Sequence, residues 1–185
     1  FSSSGPGAPS GTVDCLQGNL CAALLDLGCE DPRLEGAMEY TARSITGEGI
    51  APSSEKGNPL RWYAGKCGPQ FACGANDRLA CGWGAAKILL ALGKWPAERR
   101  TPVITRGIEA GVEFLLRIDP ATAAYPSGYT GRPSSVWWKF GFPVFYVTDI
   151  LQIAEAPAGL GYARDPRLAN TIPPILDKQD AQGRW

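Results

Sequence analysis

Residues 81–116 have the sequence CGWGAAKILLALGKWPAERRTPVITRGIEAGVEFLL, which predicts two consecutive α-helices. The first is rich in Ala and Leu and ends near Gly93, a residue suited to a left-handed C-cap. The second begins at Thr101-Pro102, because threonine can cap the free N–H groups and proline is tolerated at the first helical position. Its apolar residues then recur at helical spacing, at Ile104, Ile108, Val112 and Leu115. The segment is therefore predicted to form a helical hairpin.

The same hairpin pattern recurs on both sides of this segment. Upstream, residues 15–28 are followed by a helix start at residues 31–34, DPRL. Downstream, a third hairpin is predicted to begin near Phe140 and to restart at residues 165–168, where DPRL recurs. The two prolines at 173–174 are expected to kink or shorten the last helix, since proline lacks the N–H that a helix needs. Three hairpins predict an all-α protein built as a helical repeat.

The composition predicts a single folded domain. The chain has 185 residues, of which 44% are hydrophobic, enough for a sizeable core over residues 1–185. Residues 1–12 are small, polar and rich in Gly and Pro, so they are expected to be a loop or a frayed end. Because the sequence starts at Phe1 without a signal-peptide pattern, we expect it to be the inside of a longer chain.

The charge balance and the absence of histidine exclude several function classes. Eighteen basic and eighteen acidic residues give a net charge of zero, which leaves no basic surface for nucleic acid. No apolar run is long enough to span a membrane. With no histidine, Ser-His-Asp and Cys-His catalysis and the H-E-x-x-H metal helix are excluded. A general acid or base must then be a carboxylate, thiol, tyrosine or lysine.

The six cysteines favour a reducing compartment. A chain with a large core does not need disulfides to fold, so free thiols and a cytoplasmic location are expected.

The C-terminal sequence carries a resemblance to a known family. Gln179, Gly183 and Trp185 form the pattern Q-x-x-x-G-x-W, after a DPRL helix start. This resembles the QW motif of squalene-hopene and oxidosqualene cyclases, which belong to the α/α-toroid group together with protein prenyltransferase β subunits. The resemblance implies a toroid of helical hairpins. Because a closed toroid needs about five to seven hairpins and three are visible, we expect a partial ring, a fragment of a larger toroid.

The chain departs from the family in its acidic motifs. The D-x-D-D motif of hopene cyclases and the D-D-x-x-D motif that binds diphosphate through magnesium are both absent. Candidate acids remain, each with a capping or solvated role as its alternative: Glu48, Asp77, Asp119 and Asp149.

The resemblance also implies where a site would lie. In the family the first helix of each hairpin is inner, so the inner helices present their N-terminal ends at one mouth of the ring. The expected ligand pocket comprises the residues near that mouth and the aromatic cluster, namely Asn19, Trp83, Trp137, Trp138, Lys139, Phe142 and Tyr146. Zinc is the candidate cofactor, with ligands Asp14, Cys15, Cys73 and Cys81. Prenyltransferases use Asp, Cys and His for zinc, and the His has no equivalent here. The alternative is that the cysteines and aromatics are ordinary core residues.

The predicted function follows from this resemblance. We expect a protein like terpenoid cyclases and prenyltransferases that binds an apolar isoprenoid-type ligand in the ring centre, with no reaction assigned. A non-catalytic binding or scaffold module and a carbohydrate-active (α/α) barrel are the alternatives. The expected partners are an apolar small molecule and, through peripheral contact, a membrane surface. Missing repeats or further copies of the chain are also expected to pack on it, because terminal repeats normally need polar caps.

Overall fold

The computed structural model describes residues 13–52, 54–58, 60–62, 67–141 and 145–185. Within these ranges the regular structure is helical, and the only β pairing is three isolated backbone bridges. The α-helices are α1 (Asp14–Asp26), α2 (Pro32–Thr46), α3 (Gly82–Lys94), α4 (Pro102–Leu116), α5 (Ile150–Pro157) and α6 (Ile172–Leu176). The all-α prediction is confirmed.

The proline-containing helix starts act as caps. The Asp31 carboxylate accepts a hydrogen bond from the Arg33 N–H at 2.9 Å, and the Thr101 hydroxyl accepts from the Ile104 N–H at 3.2 Å. Each cap satisfies a backbone donor that has no partner within the helix, and proline follows at the first helical position. The sequence signals therefore place the starts of α2 and α4 correctly.

The last helix is shortened as the prolines predict. Asp165 accepts from the Arg167 N–H at 3.0 Å, but the turn it opens, Pro166–Thr171, is a 3₁₀ segment. The α-helix that follows, α6, has only five residues and contains both prolines of the 173–174 pair. Missing N–H groups at those two positions remove the hydrogen bonds that a longer helix would need.

The start predicted for the third hairpin is wrong. The helix α5 begins at Ile150, and residues 139–141 and 145–149 are not helical. The cap is Asp149, whose carboxylate accepts from the Gln152 N–H at 3.0 Å. Just before it, the buried Thr148 hydroxyl donates to the Trp83 carbonyl at 3.3 Å, so the residues before α5 are held against α3. The apolar residues 145–147 therefore belong to a connecting segment, and the helical spacing applies from Ile150.

The helices pack in two layers. α3 packs against α1 on one side and α5 on the other, whereas α2 packs against α4. The layers meet where α1 contacts α2 and where α3 contacts α4. α3 is the central element, and residues 84–89 of it are buried without interruption. The first helices of the hairpins thus form one layer, called here the inner layer (α1, α3, α5), and α2 and α4 form the outer layer.

Glycines allow the helices of each layer to approach closely. A Cβ atom at Gly18 in α1 would overlap the backbone carbonyl of Lys87 in α3. A Cβ at Gly84 would lie 3.0 Å from the Cβ of Asp14, and one at Gly107 in α4 would lie 2.9 Å from the Cβ of Ala42 in α2. Close backbone contact therefore fixes α1 on α3 and α2 on α4.

We predict that Gly18→Ala lowers the free energy of unfolding by about 1–3 kcal/mol, because the new methyl group must displace a packed backbone. The matched control is Gly36→Ala in α2, where a Cβ meets nothing within 4 Å. That change should instead raise stability by up to about 1 kcal/mol through helix propensity. Urea denaturation measures both. Equal effects of the two substitutions would contradict the close α1–α3 contact.

Candidate functional site

Cys67 and Cys73 lie opposite each other across an antiparallel bridge. Next to them, the Gly68 N–H donates to the Ala72 carbonyl at 2.8 Å, so Cys67 and Cys73 occupy a non-hydrogen-bonded position. In such a pair the two side chains leave the backbone on the same side and lie closer together than in the hydrogen-bonded kind. The bridge therefore sets the two thiols face to face.

A second bridge adds Cys81 to the same face. Ala72 lies opposite Ala80, and the Cys81 N–H donates to the Phe71 carbonyl at 2.9 Å. Because side chains alternate between the two faces, Cys81 shares a face with Cys73. The thiol cluster, defined as Cys67, Cys73 and Cys81, therefore stands on one side of a small meander, in which these two isolated bridges join three short extended segments. Cys81 also caps α3, since its Sγ accepts from the Gly84 N–H at 3.5 Å. Asp77, for which capping was the alternative to an acid role, is not the cap of this helix.

The two turns of the meander have an unusual backbone. Both central residues of the first turn, Gln70 and Phe71, have positive φ values of 55° and 61°. The second turn repeats this at Asp77 and Arg78, with φ values of 53° and 60°. Left-handed turns of this kind normally contain Gly or Asn, so these side chains impose strain. The burial of Phe71, whose ring lies 5.0 Å from that of Phe114, holds the first turn in place.

The thiols of the cluster have different acidities. Hydrogen-bonding interactions with the Cys67 and Cys81 thiols hold the pKa of Cys73 far below its usual range. The pKa values of Cys67 and Cys81 are raised, because each thiol interacts with Cys73 in its protonated form and is desolvated by burial. Cys73 is therefore the thiolate of the cluster, and its two neighbours act as donors.

Asp14, the first residue of α1, lies beside the cluster. Its N–H donates to the Cys67 Sγ at 3.3 Å, and its side chain is buried. Burial first, and then the Cys73 thiolate, raise the pKa of Asp14 to about 7. The next residue, Cys15, has its pKa raised to about 11 by burial and by Asp14. The start of α1 and the thiol cluster at the start of α3 are therefore neighbours.

Of the four residues expected to bind zinc, the structure brings Asp14, Cys15 and Cys73 within electrostatic interaction, and Cys73 interacts with Cys81. Within the ranges that the structure describes, however, no group of three or more Cys, Asp and Glu side chains is arranged so that it could hold a metal ion. The geometry gives the zinc prediction no support. Sequence reasoning also missed Cys67, although the six-residue step from Cys67 to Cys73, with a glycine after each, is the signal of a hairpin that pairs them.

A cleft of about 310 Å³ lies against this meander. Trp62, Pro52 and Pro69 provide apolar walls, and Arg78 is its charged lining residue. Cys67 contributes to the same lining. Clefts of this volume accept small ligands, so the thiol cluster borders a space that a small molecule can enter.

The residues expected to line an apolar pocket are divided between two places. Trp137 is buried, with its indole N–H donating to the Pro120 carbonyl at 2.9 Å, and Trp138 donates likewise to the Ala121 carbonyl at 3.2 Å. Both tryptophans therefore anchor the loop after α4 to the core. Trp83 is half-buried against the core at the start of α3.

The remaining pocket candidates lie at or near the surface. The Asn19 side chain donates to the Phe145 carbonyl at 2.6 Å, which ties α1 to the segment before α5. Tyr146 and Lys139 are exposed, and Phe142 lies outside the described residues. Asn19 and the 145–146 segment are thus brought together, whereas Trp137 and Trp138 are bonded to the loop after α4.

The C-terminal motif makes local hydrogen bonds. The Gln179 side chain donates to the Gly183 carbonyl at 2.8 Å, and the Trp185 indole N–H donates to the Ile175 carbonyl at 2.8 Å. Gln179 follows the end of α6 by three residues, and Trp185 is 63% exposed. The motif therefore folds the C-terminus back onto α6, and these contacts give the resemblance to the cyclase motif no support.

We predict that Asp14 makes stability depend on pH between about 4 and 7. In this interval the folded protein keeps a proton on Asp14, whose pKa is about 7, whereas the unfolded chain has lost it. The folded state binds more protons, so the contribution of Asp14 to the free energy of unfolding falls as the pH rises through this interval. The test compares the protein with Asp14→Asn by urea denaturation at several pH values.

The stability of the parent protein relative to Asp14→Asn should fall as the pH rises from about 4 to 7 and level off above that. Taking the difference removes contributions from other titrating groups, and histidine is absent from the chain. Asp26→Asn, at the other end of α1, controls for removal of a carboxylate. A difference that is flat or rises across the interval would contradict a protonated, buried Asp14.

Comparison with protein-family models, with curated proteins and with solved structures finds no match to this chain.

Proposed function

We propose that the chain is a sector of an α/α toroid, similar in architecture to terpene cyclases and prenyltransferases, that binds an apolar isoprenoid-type ligand on its inner layer. The order of packing supports the architecture. The first helices of successive hairpins pack on one another, as do the second helices of the first two hairpins, which is the arrangement that a toroid repeats around a ring. Thr148 and the start of α3 are joined, so α3 and α5 begin at the same end of the inner layer.

The observation that carries the ligand proposal is a set of exposed large apolar side chains on α1, on α5 and on the segment just before α5. Leu20 of α1 and Leu151 of α5 are 37% and 42% exposed, and Phe145 and Tyr146 are 63% and 66% exposed. The hydrogen bond from the Asn19 side chain to the Phe145 carbonyl holds Phe145 beside α1, next to Leu20 in the sequence. We call these four residues the apolar surface. A group of exposed large apolar side chains rimmed by polar groups is typical of a binding site.

A reaction is not part of the proposal. The acidic motifs of cyclisation are absent from the sequence, and three of the four candidate acids have structural partners. Glu48 pairs with Arg106 at 2.7 Å, and Asp119 and Asp149 each accept from a backbone N–H at a helix start. The carbohydrate-active alternative needs free paired carboxylates and exposed stacking rings. The hydrogen bonds and ion pair of these carboxylates, together with the burial of Trp137, weaken that alternative.

Farnesol, an apolar isoprenoid alcohol, is the probe for this proposal. We expect it to bind, and we expect Leu20→Asp and Leu151→Asp each to weaken binding by about tenfold or more. Burying one leucine side chain contributes about 1.5–3 kcal/mol, and 1.4 kcal/mol is a factor of ten in the dissociation constant. Isothermal titration calorimetry measures the affinity, and circular dichroism checks that each variant is folded.

The matched control is Leu27→Asp, which changes a leucine just beyond the end of α1 that is 83% exposed and outside the apolar surface. It should leave the affinity unchanged. An equal loss in this control would contradict the location of the site. Failure of farnesol to bind, or binding of a linear oligosaccharide in its place, would overturn the proposed ligand class.

The open end of the sector predicts association. Ile172, Leu176 and Trp185 at the C-terminal hairpin are 49%, 52% and 63% exposed, as expected where a further repeat or another copy would pack. We predict concentration-dependent self-association in sedimentation velocity. The double variant Ile172→Asp, Leu176→Asp should reduce it, whereas Leu27→Asp should not. A monodisperse monomer at all concentrations would contradict a truncated repeat array.

A further inference from the structure

We propose that Cys67 and Cys73 form a redox couple, which a peroxide oxidises to a disulfide with Cys73 as the attacking thiolate. Both are free thiols in the structure, and they face each other across the non-hydrogen-bonded position of the first bridge. Cα atoms in such a pair lie about 4.5 Å apart. This is within the range that a disulfide spans, about 4.4–6.8 Å, so the bond can form without moving the backbone.

The two thiols have different access to solvent. Cys67 is buried at 8% exposure and lines the cleft, whereas Cys73 is half-buried and lies between Ala72 and Gly74, which also line it. Cys73 is therefore the more exposed thiol of the pair and the one that a small oxidant reaches more readily. Hydrogen-bonding interactions with Cys67 and Cys81 lower the pKa of Cys73, which favours the thiolate, the nucleophilic form of a thiol. Cys67 is the resolving thiol.

Cys81 is the competing partner, and the geometry disfavours it. It sits opposite Phe71, diagonal to Cys73, and its sulfur accepts the Gly84 N–H at the start of α3. Diagonal neighbours on a sheet lie about 7–8 Å apart, at or beyond the disulfide range. Pairing with Cys81 would also remove the cap of α3, so Cys67 is the favoured partner.

The oxidation balances with hydrogen peroxide as the co-reactant. The Cys73 thiolate attacks one peroxide oxygen, forming an S–O bond as the O–O bond breaks, and the departing hydroxide takes a proton to become water. The product is a sulfenic acid at Cys73. Cys67, on losing its proton, attacks the Cys73 sulfur, and the S–O bond breaks as the S–S bond forms. The hydroxide released combines with the Cys67 proton, so two thiols and one peroxide give one disulfide and two waters.

The strained turn between the two cysteines holds Cys67 and Cys73 opposite each other in the reduced protein. Gln70 and Phe71 hold left-handed conformations that their side chains disfavour, and the packing of Phe71 against Phe114 maintains them. Strain of this kind persists where the surrounding structure fixes it, and it keeps Cys67 and Cys73 in register before any bond forms. The pair is therefore preorganised for closure of a short loop.

The experiment treats the reduced full chain with one equivalent of hydrogen peroxide, alkylates the remaining thiols with iodoacetamide and digests with trypsin. Cleavage after Lys66 and Arg78 places both cysteines in peptide 67–78, whereas Cys81 falls in peptide 79–87. We expect peptide 67–78 to become two hydrogens lighter and to escape alkylation. Peptide 79–87 should remain fully alkylated.

Two variants separate the roles of the thiols. Cys67→Ser should stop at the sulfenic acid of Cys73, which dimedone captures, and Cys73→Ser should abolish both the lighter peptide and the dimedone adduct. Cys29→Ser is the matched control and should behave as the parent protein. Circular dichroism confirms folding, and because Cys67→Ser gives a positive signal, the test does not depend on Cys73→Ser alone.

Several outcomes would overturn the proposal. A cross-link between peptides 67–78 and 79–87 would assign the couple to Cys73 and Cys81. A dimedone adduct on Cys15 or Cys21 in place of Cys73 would move the nucleophile. Copurified zinc that protects all three cluster thiols from alkylation until a chelator is added would make the cluster a metal site. Full alkylation of peptide 67–78 after peroxide would show that no couple exists.

Discussion

The close contact between α1 and α3 is the constraint on which the rest of the structure depends. Gly18 meets the backbone of Lys87, and Gly84 meets Asp14, so the two helices touch at backbone distance near their N-terminal ends. This contact buries Asp14 and sets it beside the meander that precedes α3. Without this contact, the Asp14 carboxyl group would not lie beside the Cys67 sulfur at the start of α3.

The burial of Asp14 beside the thiol cluster determines how many negative charges the carboxyl group and the thiols carry together. A carboxylate and a thiolate in a poorly solvated space repel each other, so the favourable arrangement carries one negative charge. The raised pKa of Asp14 and the lowered pKa of Cys73 describe this arrangement, with the charge on sulfur and the proton on the carboxyl group. Oxidation of Cys73 would remove that charge and thereby ease ionisation of Asp14. The redox state of Cys73 and the protonation state of Asp14 are thus linked through the electrostatic repulsion between the two groups.

The sequence was most informative where a local rule decides the structure. Caps such as Asp31 and Thr101 satisfy their own backbone donors, so the starts of α2 and α4 could be predicted. The start of α5 could not, because the contact that holds Thr148 to Trp83 joins distant residues and no local signal encodes it. The meander was missed for a related reason. Its turns place Gln70 and Phe71 where Gly or Asn is expected, so tertiary packing overrides turn chemistry.

The candidate site also has parts that the sequence predicts and parts that depend on tertiary contacts. Composition was enough to exclude imidazole chemistry and to leave carboxylates, thiols, tyrosines and lysines as the candidate acids and bases. The approach of α1 to α3 at one end of the helices was expected from the toroid resemblance, and it led to Asp14, Cys73 and Cys81. Cys67 depends on strand pairing inside a loop of Gly, Pro and Asn residues, a feature that helical periodicity does not report.

Lys87 extends the constraint across the inner layer. Its backbone meets Gly18 of α1, and its side chain reaches α5, where the Nζ donates to the Gln152 side chain at 2.6 Å. Burial lowers the pKa of Lys87, whereas Asp149 and Cys15 favour its charged form. A buried hydrogen bond of this kind adds little net stability. A shift of either helix would leave the buried Lys87 and Gln152 side chains without their hydrogen-bond partners, which is costly. Lys87 therefore fixes the register of α5 relative to α1, and with it the relative positions of Leu20 and Leu151 on which the proposed apolar surface depends.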